Sequence, residues 1–151
     1  MANNTFSFCG PSGGDGGSHY SDGTEAGQFS ADDHKLVEVR IRSGAYIDAI
    51  QTEYEDSIGN KIVSAQHGGN GGNLSTFKLS PGEYITRISG MYGWVINTLL
   101  IETNKGRAQG WGIPGGSGNY NYTAPPGTSI HGFFGKSGLY LDAIGVILKS
   151  T

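Results

Sequence analysis

The sequence predicts an all-β protein of three four-stranded antiparallel sheets, packed as the sides of a triangular prism with pseudo-threefold symmetry around one core. Three observations predict it. Apolar residues alternate at period two in several short runs, and no window of twelve or more residues carries a helical period. Glycine fills 27 of 151 positions, far above its usual share of about 7%, and its clusters punctuate those runs. One phrase also occurs three times, as GAYIDAI from Gly44, GWVINTL from Gly93 and GLYLDAI from Gly138. Its acidic position is held by Asp48, Asn97 and Asp142, which lie 49 and 45 residues apart, so the chain reads as three copies of one unit. Units that short share a core rather than fold alone. Propeller blades have similar lengths but come four or more to a ring, so three units favour the prism.

Taken in order, a first strand is expected around Thr5 to Phe8, followed by a glycine loop from Gly10 to Gly23. Leu36 to Arg42 alternates, with Val37, Val39 and Ile41 inward and Glu38, Arg40 and Arg42 outward. Strands follow at Tyr46 to Tyr54 and Lys61 to Ala65, then a second glycine loop from His67 to Asn73. Next come LSTFKLS, a turn at Pro81-Gly82, the strand EYITRIS and the middle copy of the phrase from Gly93 to Thr103. A third glycine loop spans Gly112 to Tyr122. After the turn at Pro125-Pro126-Gly127, TSIHGFF leads into a last strand running from Gly135 to Leu148, whose Tyr140, Asp142, Ile144, Val146 and Leu148 share one face. The whole, residues 1–151, reads as a single domain of ten to twelve strands.

Composition excludes several functions. A net charge of −3 with ten Lys plus Arg offers no electrostatic surface for nucleic acid. No stretch reaches membrane-spanning length, and MANNTFSFCG lacks a signal peptide's basic and apolar regions, so a cytoplasmic protein or a mature secreted chain is expected. Cys9, the single cysteine, forms no internal disulfide and reads as a small buried hydrophobe. His19, His34, His67 and His131 lack ligand spacing, so no metal or other cofactor is expected. Two enzyme patterns occur without their context. Gly10-Pro11-Ser12-Gly13-Gly14 fits a nucleophile elbow but runs into a glycine loop instead of a helix. Gly110-Trp111-Gly112-Ile113-Pro114-Gly115 fits a dinucleotide fingerprint, but Pro114 and the missing helix remove it. The sequence therefore indicates no enzyme.

The threefold recurrence of glycine loop and Gly-x-x-x-Asp strand, from GGDGGS to GFFGKSGLYLDAIGVIL, resembles the jacalin-related lectins over essentially the whole chain. The resemblance implies the β-prism I fold and a shallow sugar site wherever a glycine loop meets the aspartate turn. It places one carbohydrate site at Gly138, Leu139, Tyr140 and Asp142, closed by Gly17. A second falls at Gly44, Ala45, Tyr46 and Asp48, closed by Gly72. The third copy, Gly93, Trp94, Val95 and Asn97, faces a loop ending Gly118-Asn119. Its neutral amide and the side chain of Asn119 imply a degenerate site, weak or empty.

The residue types fit that chemistry on their own terms. An ionised carboxylate can accept from two sugar hydroxyls at once, and backbone amides reach a flat ring closely only where no Cβ intrudes. Tyr46 and Tyr140 add either aromatic surface or packing. Aspartates in turns often bond their own backbone instead, and it is the recurrence with a matched loop that favours binding. Trp94 and Trp111 read as core or dimer contacts ahead of an exposed platform.

The resemblance further implies mannose- and glucose-containing glycans as partners, since galactose-preferring members are cleaved beside the site, and a homodimer, as in many relatives. Rival readings are a galactose-preferring lectin, a prism-fold adhesion or scaffold domain working through protein contacts, and a hydrolase using Asp48 and Asp142 as an acid pair. The last requires carboxylates roughly 5 to 10 Å apart. Sequons stand at Asn3, Asn73 and Asn121.

Overall fold

The computed structural model describes residues 6–22 and 34–151, so Thr5, Gly23 and the sequon at Asn3 lie outside the described residues. Among the described residues thirteen strands follow one another: β1 (Phe6–Gly13), β2 (Ser18–Ser21), β3 (Lys35–Ser43), β4 (Ile47–Glu55), β5 (Lys61–Val63), β6 (His67–Gly68), β7 (Asn73–Lys78), β8 (Ile85–Tyr92), β9 (Thr98–Thr103), β10 (Ala108–Gly112), β11 (Gly118–Thr123), β12 (Thr128–Ser137) and β13 (Leu141–Ser150). All pair antiparallel.

The hydrogen bonding draws two sheets where the sequence predicts three. One has five strands, in the order β5-β4-β3-β7 with β6 on β4. The other has eight, in the order β1-β13-β12-β8-β9-β10 with β2 on β12 and β11 on β8. The larger sheet is held together at its middle by a single residue pair, Ile130 opposite Ile85. On either side of that pair lies a four-stranded run, β2-β12-β13-β1 and β11-β8-β9-β10.

Two strands depart from the simple alternation. In β3 a bulge sets Leu36 opposite Tyr54 and Glu38 opposite Glu53, passing over Val37. Leu36 is consequently buried and Val37 only half-buried, the reverse of the expected phase at this end, while Val39 and Ile41 point inward as expected. The predicted last strand is really a hairpin, β12 and β13 joined by the turn 138–140, so Tyr140 leaves the strand and is exposed. Lying between β1 and β12, β13 buries both faces, Leu141, Ala143 and Ile147 as well as Ile144, Val146 and Leu148.

The core is a single cluster to which every β-run contributes, with Val39, Ile41, Ile50, Tyr54, Phe77, Ile88, Ile101, Phe133 and Ile144 at 1% exposure or less. Buried polar groups are tied into it. The Tyr54 hydroxyl donates to the His131 carbonyl at 2.7 Å. Asp22 accepts the Phe133 amide at 2.9 Å and meets His67 Nε2 at 3.0 Å, and the His67 ring stacks on Tyr20 at 4.3 Å. His67, a neighbour of the second glycine loop, is thus a buried structural residue. Glu83 sits in a similar clamp, taking Arg107 Nε at 3.0 Å, the Thr103 hydroxyl at 2.7 Å and the Ser80 amide at 3.0 Å. Trp111 is buried edge-on to Phe77 at 5.9 Å, as expected of a core residue.

Candidate functional site

The three copies of the repeated phrase form three turns at one end of the molecule, and each turn closes in the same way. The amide of Gly44 donates to the Tyr46 carbonyl at 3.0 Å, that of Gly93 to Val95 at 3.0 Å and that of Gly138 to Tyr140 at 2.9 Å. The strands leaving the turns are stitched to one another. Ile47 N–H donates to the Ile96 carbonyl at 2.9 Å and Ile96 N–H to the Leu141 carbonyl at 2.8 Å. The Tyr46 and Tyr140 rings meet edge to face at 5.5 Å.

Against each turn lies a glycine loop with the common frame Gly-x-x-Gly-Gly: Gly13 to Gly17, Gly68 to Gly72 and Gly112 to Gly116. The fit leaves no room for side chains. A Cβ on Gly17 would lie 2.6 Å from the Ser137 carbonyl and 2.7 Å from Asp142 Oδ1. One on Gly72 would lie 2.6 Å from both the Ser43 carbonyl and Asp48 Oδ1. Both glycines also take positive φ, 77° and 69°. The preceding glycines face the other carboxylate oxygen, with a Cβ on Gly16 falling 2.9 Å from Asp142 Oδ2 and one on Gly71 falling 2.6 Å from Asp48 Oδ2.

Each predicted aspartate is therefore pressed against a bare backbone edge. Asp142 Oδ1 is buried and accepts no hydrogen bond, and Asp48 is only 6% exposed. Burial raises both carboxyls above the ordinary aspartate range, and in each case a cation pulls partly back, Arg42 for Asp48 and Lys136 for Asp142. The same cations brace the loops. Arg42 Nη1 donates to the carbonyls of Asn70 at 3.2 Å and Gly72 at 3.5 Å, and Lys136 Nζ to that of Asp15 at 3.4 Å. Each stands two residues before its turn glycine, a place held in the third copy by Met91.

The structure thus brings Gly138, Tyr140 and Asp142 together with Gly17, and Gly44, Tyr46 and Asp48 together with Gly72. Leu139 is 82% exposed at the tip of its turn, and Ala45 is exposed at the corresponding tip. The third turn corrects the sequence reading. Asn119 pairs with Met91 along β11 and β8, and it is Gly115 and Gly116 that face the turn. A Cβ on Gly93 would lie 3.3 Å from the Gly116 Cα, and one on Gly115 would lie 3.0 Å from Asn97 Nδ2. The loop keeps its paired glycines, but Ile113 stands where the other two carry Gly14 and Gly69. The loop ending Gly118-Asn119 lies three residues beyond the pair that meets the turn, whereas the shared Gly-x-x-Gly-Gly frame identifies that pair. That frame also picks out Gly16 and Gly71, which the sequence reading missed. Trp94 is not core: at 92% exposure it stands at the tip of the third turn.

Among the described residues no group of three or more His, Cys, Asp or Glu side chains could hold a metal ion, and no helix is long and apolar enough to cross a membrane.

Residues 9–147 match the family profile of the Jacalin-like lectin domain. Jacalin-related lectin 3 of Arabidopsis thaliana is 34% identical over 91% of this chain, which spans 22% of that protein's length. Zymogen granule membrane protein 16 of Homo sapiens is 32% identical over 93% of this chain and 78% of its own length. Among solved structures, a mannose binding jacalin related lectin from Ananas comosus superposes with a TM-score of 0.81 at 27% identity, covering 97% of this chain and 99% of that one. Malaysian banana lectin does so at 0.80 and 27% identity, covering 97% and 100%.

Proposed function

Because this chain belongs to the jacalin-like lectin family, a carbohydrate-binding family without enzymatic activity, we propose that it binds mannose- and glucose-containing glycans through two charged sites. One is built on Asp142 and Gly17, the other on Asp48 and Gly72. The body that carries them is a three-sided prism with pseudo-threefold symmetry, a reading supported by the threefold recurrence of turn, loop and stitching bond and by the weak single-pair link between the two halves of the larger sheet.

The observation that carries the proposal is a carboxylate set against a bare glycine edge at each of the two turns, the Asp142 one lining an open cleft with Gly13 to Gly16. Asp142 is half-buried, and the part of its carboxylate that opens on the cleft can accept from sugar hydroxyls. Backbone amides of the turn and loop are then within reach of the ring and exocyclic oxygens because no Cβ stands between. The preference for mannose and glucose over galactose is supported by the Ananas comosus neighbour, described as mannose binding. A homodimer completes the proposal, consistent with Phe8, which is 52% exposed on the edge strand β1.

Calorimetry with methyl α-mannoside tests it. The unmodified chain titrates with two acid-sensitive sites, and Asp142→Ala or Asp48→Ala each leaves one. At the altered site affinity falls by about 10²-fold or more, the loss of two charge-assisted hydrogen bonds. Two acid-sensitive sites remaining in either variant while the fold is intact would refute the assignment, and loss of the fold would return the residue to a structural role.

A further inference from the structure

We infer that the turn Gly93–Val95 builds a third sugar site, an uncharged one, in which the Trp94 ring supplies the contact that charge supplies at the other two. Its paired glycines are in place, Gly115 and Gly116 meeting the turn as the paired glycines do elsewhere, while Ile113 replaces the glycine that the other two loops carry as Gly14 and Gly69. Asn97 holds the place of the aspartates, is 8% exposed, and keeps a buried side-chain oxygen that accepts no hydrogen bond.

Acid and cation disappear together here. Asp142 faces Lys136 and Asp48 faces Arg42, but Asn97 has Met91 in the cation's place. The change is coherent, converting a charged site into a neutral one with its glycine edge retained. In compensation, a cleft of about 470 Å³ opens over Asn97, lined by Tyr46, Trp94, Val95, Gly116 and Tyr140. Three aromatic rings wall it, and Trp94 presents nearly its whole surface. The C–H face of a hexose packs on such a ring without any charge, and a rigid indole loses little conformational entropy in holding it. The Asn97 amide nitrogen offers a donor to the sugar's polar edge. The ligand class is therefore a neutral hexoside with an unobstructed C–H face.

The titratable groups around this turn are Asp15 and Asp142, which line the adjoining cleft on the Gly13–Gly16 side of Trp94, and the phenols of Tyr46, Tyr92 and Tyr140. Among the described residues lining the cleft over Asn97 there is no Lys, Arg or His. Binding there is consequently insensitive to pH across the range in which the two aspartate sites protonate. The ligand being a sugar rests on the lectin reading above, and the experiment separates the two claims.

The Asp48→Ala/Asp142→Ala chain is titrated with methyl α-mannoside, methyl β-galactoside and the methyl glycoside of N-acetylglucosamine in turn, at about pH 7 and about pH 4. The indole N–H resonance of Trp94 is followed, with buried Trp111 as internal reference. At least one sugar shifts the Trp94 signal to saturation, with affinities at the two pH values within about twofold of each other. Trp94→Ala and Asn97→Ala each weaken that binding by about tenfold or more. Adding Met91→Lys and Asn97→Asp together rebuilds the charge pair and makes the third site lose affinity in acid. A Trp94 resonance that none of the three sugars moves, or an affinity that falls steeply with acid before the charge pair is rebuilt, overturns the inference while sugar binding by the unmodified chain still upholds the lectin reading. An unmodified chain that binds none of the sugars overturns both.

Discussion

A carboxylate pressed against a protein edge is held away from its preferred state, and Asp48 and Asp142 carry that tension in their titration. Burial raises each carboxyl, so the folded chain takes up these protons at a higher pH than the unfolded chain does. Such a group costs stability while ionised, and that cost is relieved as pH falls through the raised value. Sugar needs the ionised form. Affinity at both sites should therefore fall with acid starting above the ordinary aspartate range, measurable as the pH dependence of the dissociation constant. Asp142→Asn should raise Tm at neutral pH by roughly 1–3 °C while weakening sugar binding, the exchange of stability for function expected of a site residue. Gly72→Ala is the complementary change. Its Cβ would overlap the Ser43 carbonyl and Asp48 in a backbone of φ 69°, so thermal unfolding should register a loss of about 1–3 kcal/mol together with loss of that site. At this scale the sequence was highly legible for the acids, because a carboxylate recurring beside glycine stands out in any reading. The cations were not: Arg42 and Lys136 look like ordinary outward-facing strand residues until the loop carbonyls they hold are in place.

Among the elements, loops rather than strands set the differences. The strand phase could be read from alternation at Val39 and Ile41, but not through the bulge at Val37, since a bulge inserts a residue without leaving a compositional mark. The short β10, Ala108–Gly112, shows only Trp111 buried and carries no alternation to announce it. Trp94 and Trp111 were indistinguishable by residue type, and only their places, a turn tip and a strand, separate exposed from buried. Far from the turns, Glu83 ties the 80–83 turn to β9 and to the segment entering β10 through Thr103 and Arg107. Burial opposes its charge, but the Arg107 bonds, the Ser80 amide and the Thr103 hydroxyl together hold its carboxyl down to about 2. Glu83→Gln should weaken the bonds to Arg107 and lower Tm by about 4–8 °C without affecting sugar affinity, as differential scanning calorimetry and a mannoside titration would report side by side.

For the whole molecule, the two buried groups with opposite charge preferences set one acid limit. Burial, with Lys149 and His34 acting in the same direction, depresses His131 to about 3 from an ordinary value of 6.5. The unfolded chain gains that proton below about 6.5 and the folded chain resists it, so stability drains away as pH falls from there toward about 3. Glu83 adds its own loss between its ordinary 4.5 and about 2. A melting series should show Tm falling through this range, with His131→Phe flattening the upper part of the fall. The all-β class and the three repeated units followed directly from glycine clusters and period-two runs. How the sheets join did not, because Ile130–Ile85 is a single ladder pair between strands some 45 residues apart and leaves no periodic trace.

The meeting of Tyr46 and Tyr140 rings carries one more implication. Turns that touch stand side by side, so sugars held at the two proposed sites would be neighbouring branches of a single glycan rather than groups on two separate surfaces. Under the proposed homodimer, cell clumping would then depend on the second protomer, joined away from that end. Dilution that parts the pair should abolish agglutination at concentrations where glycans are still retained.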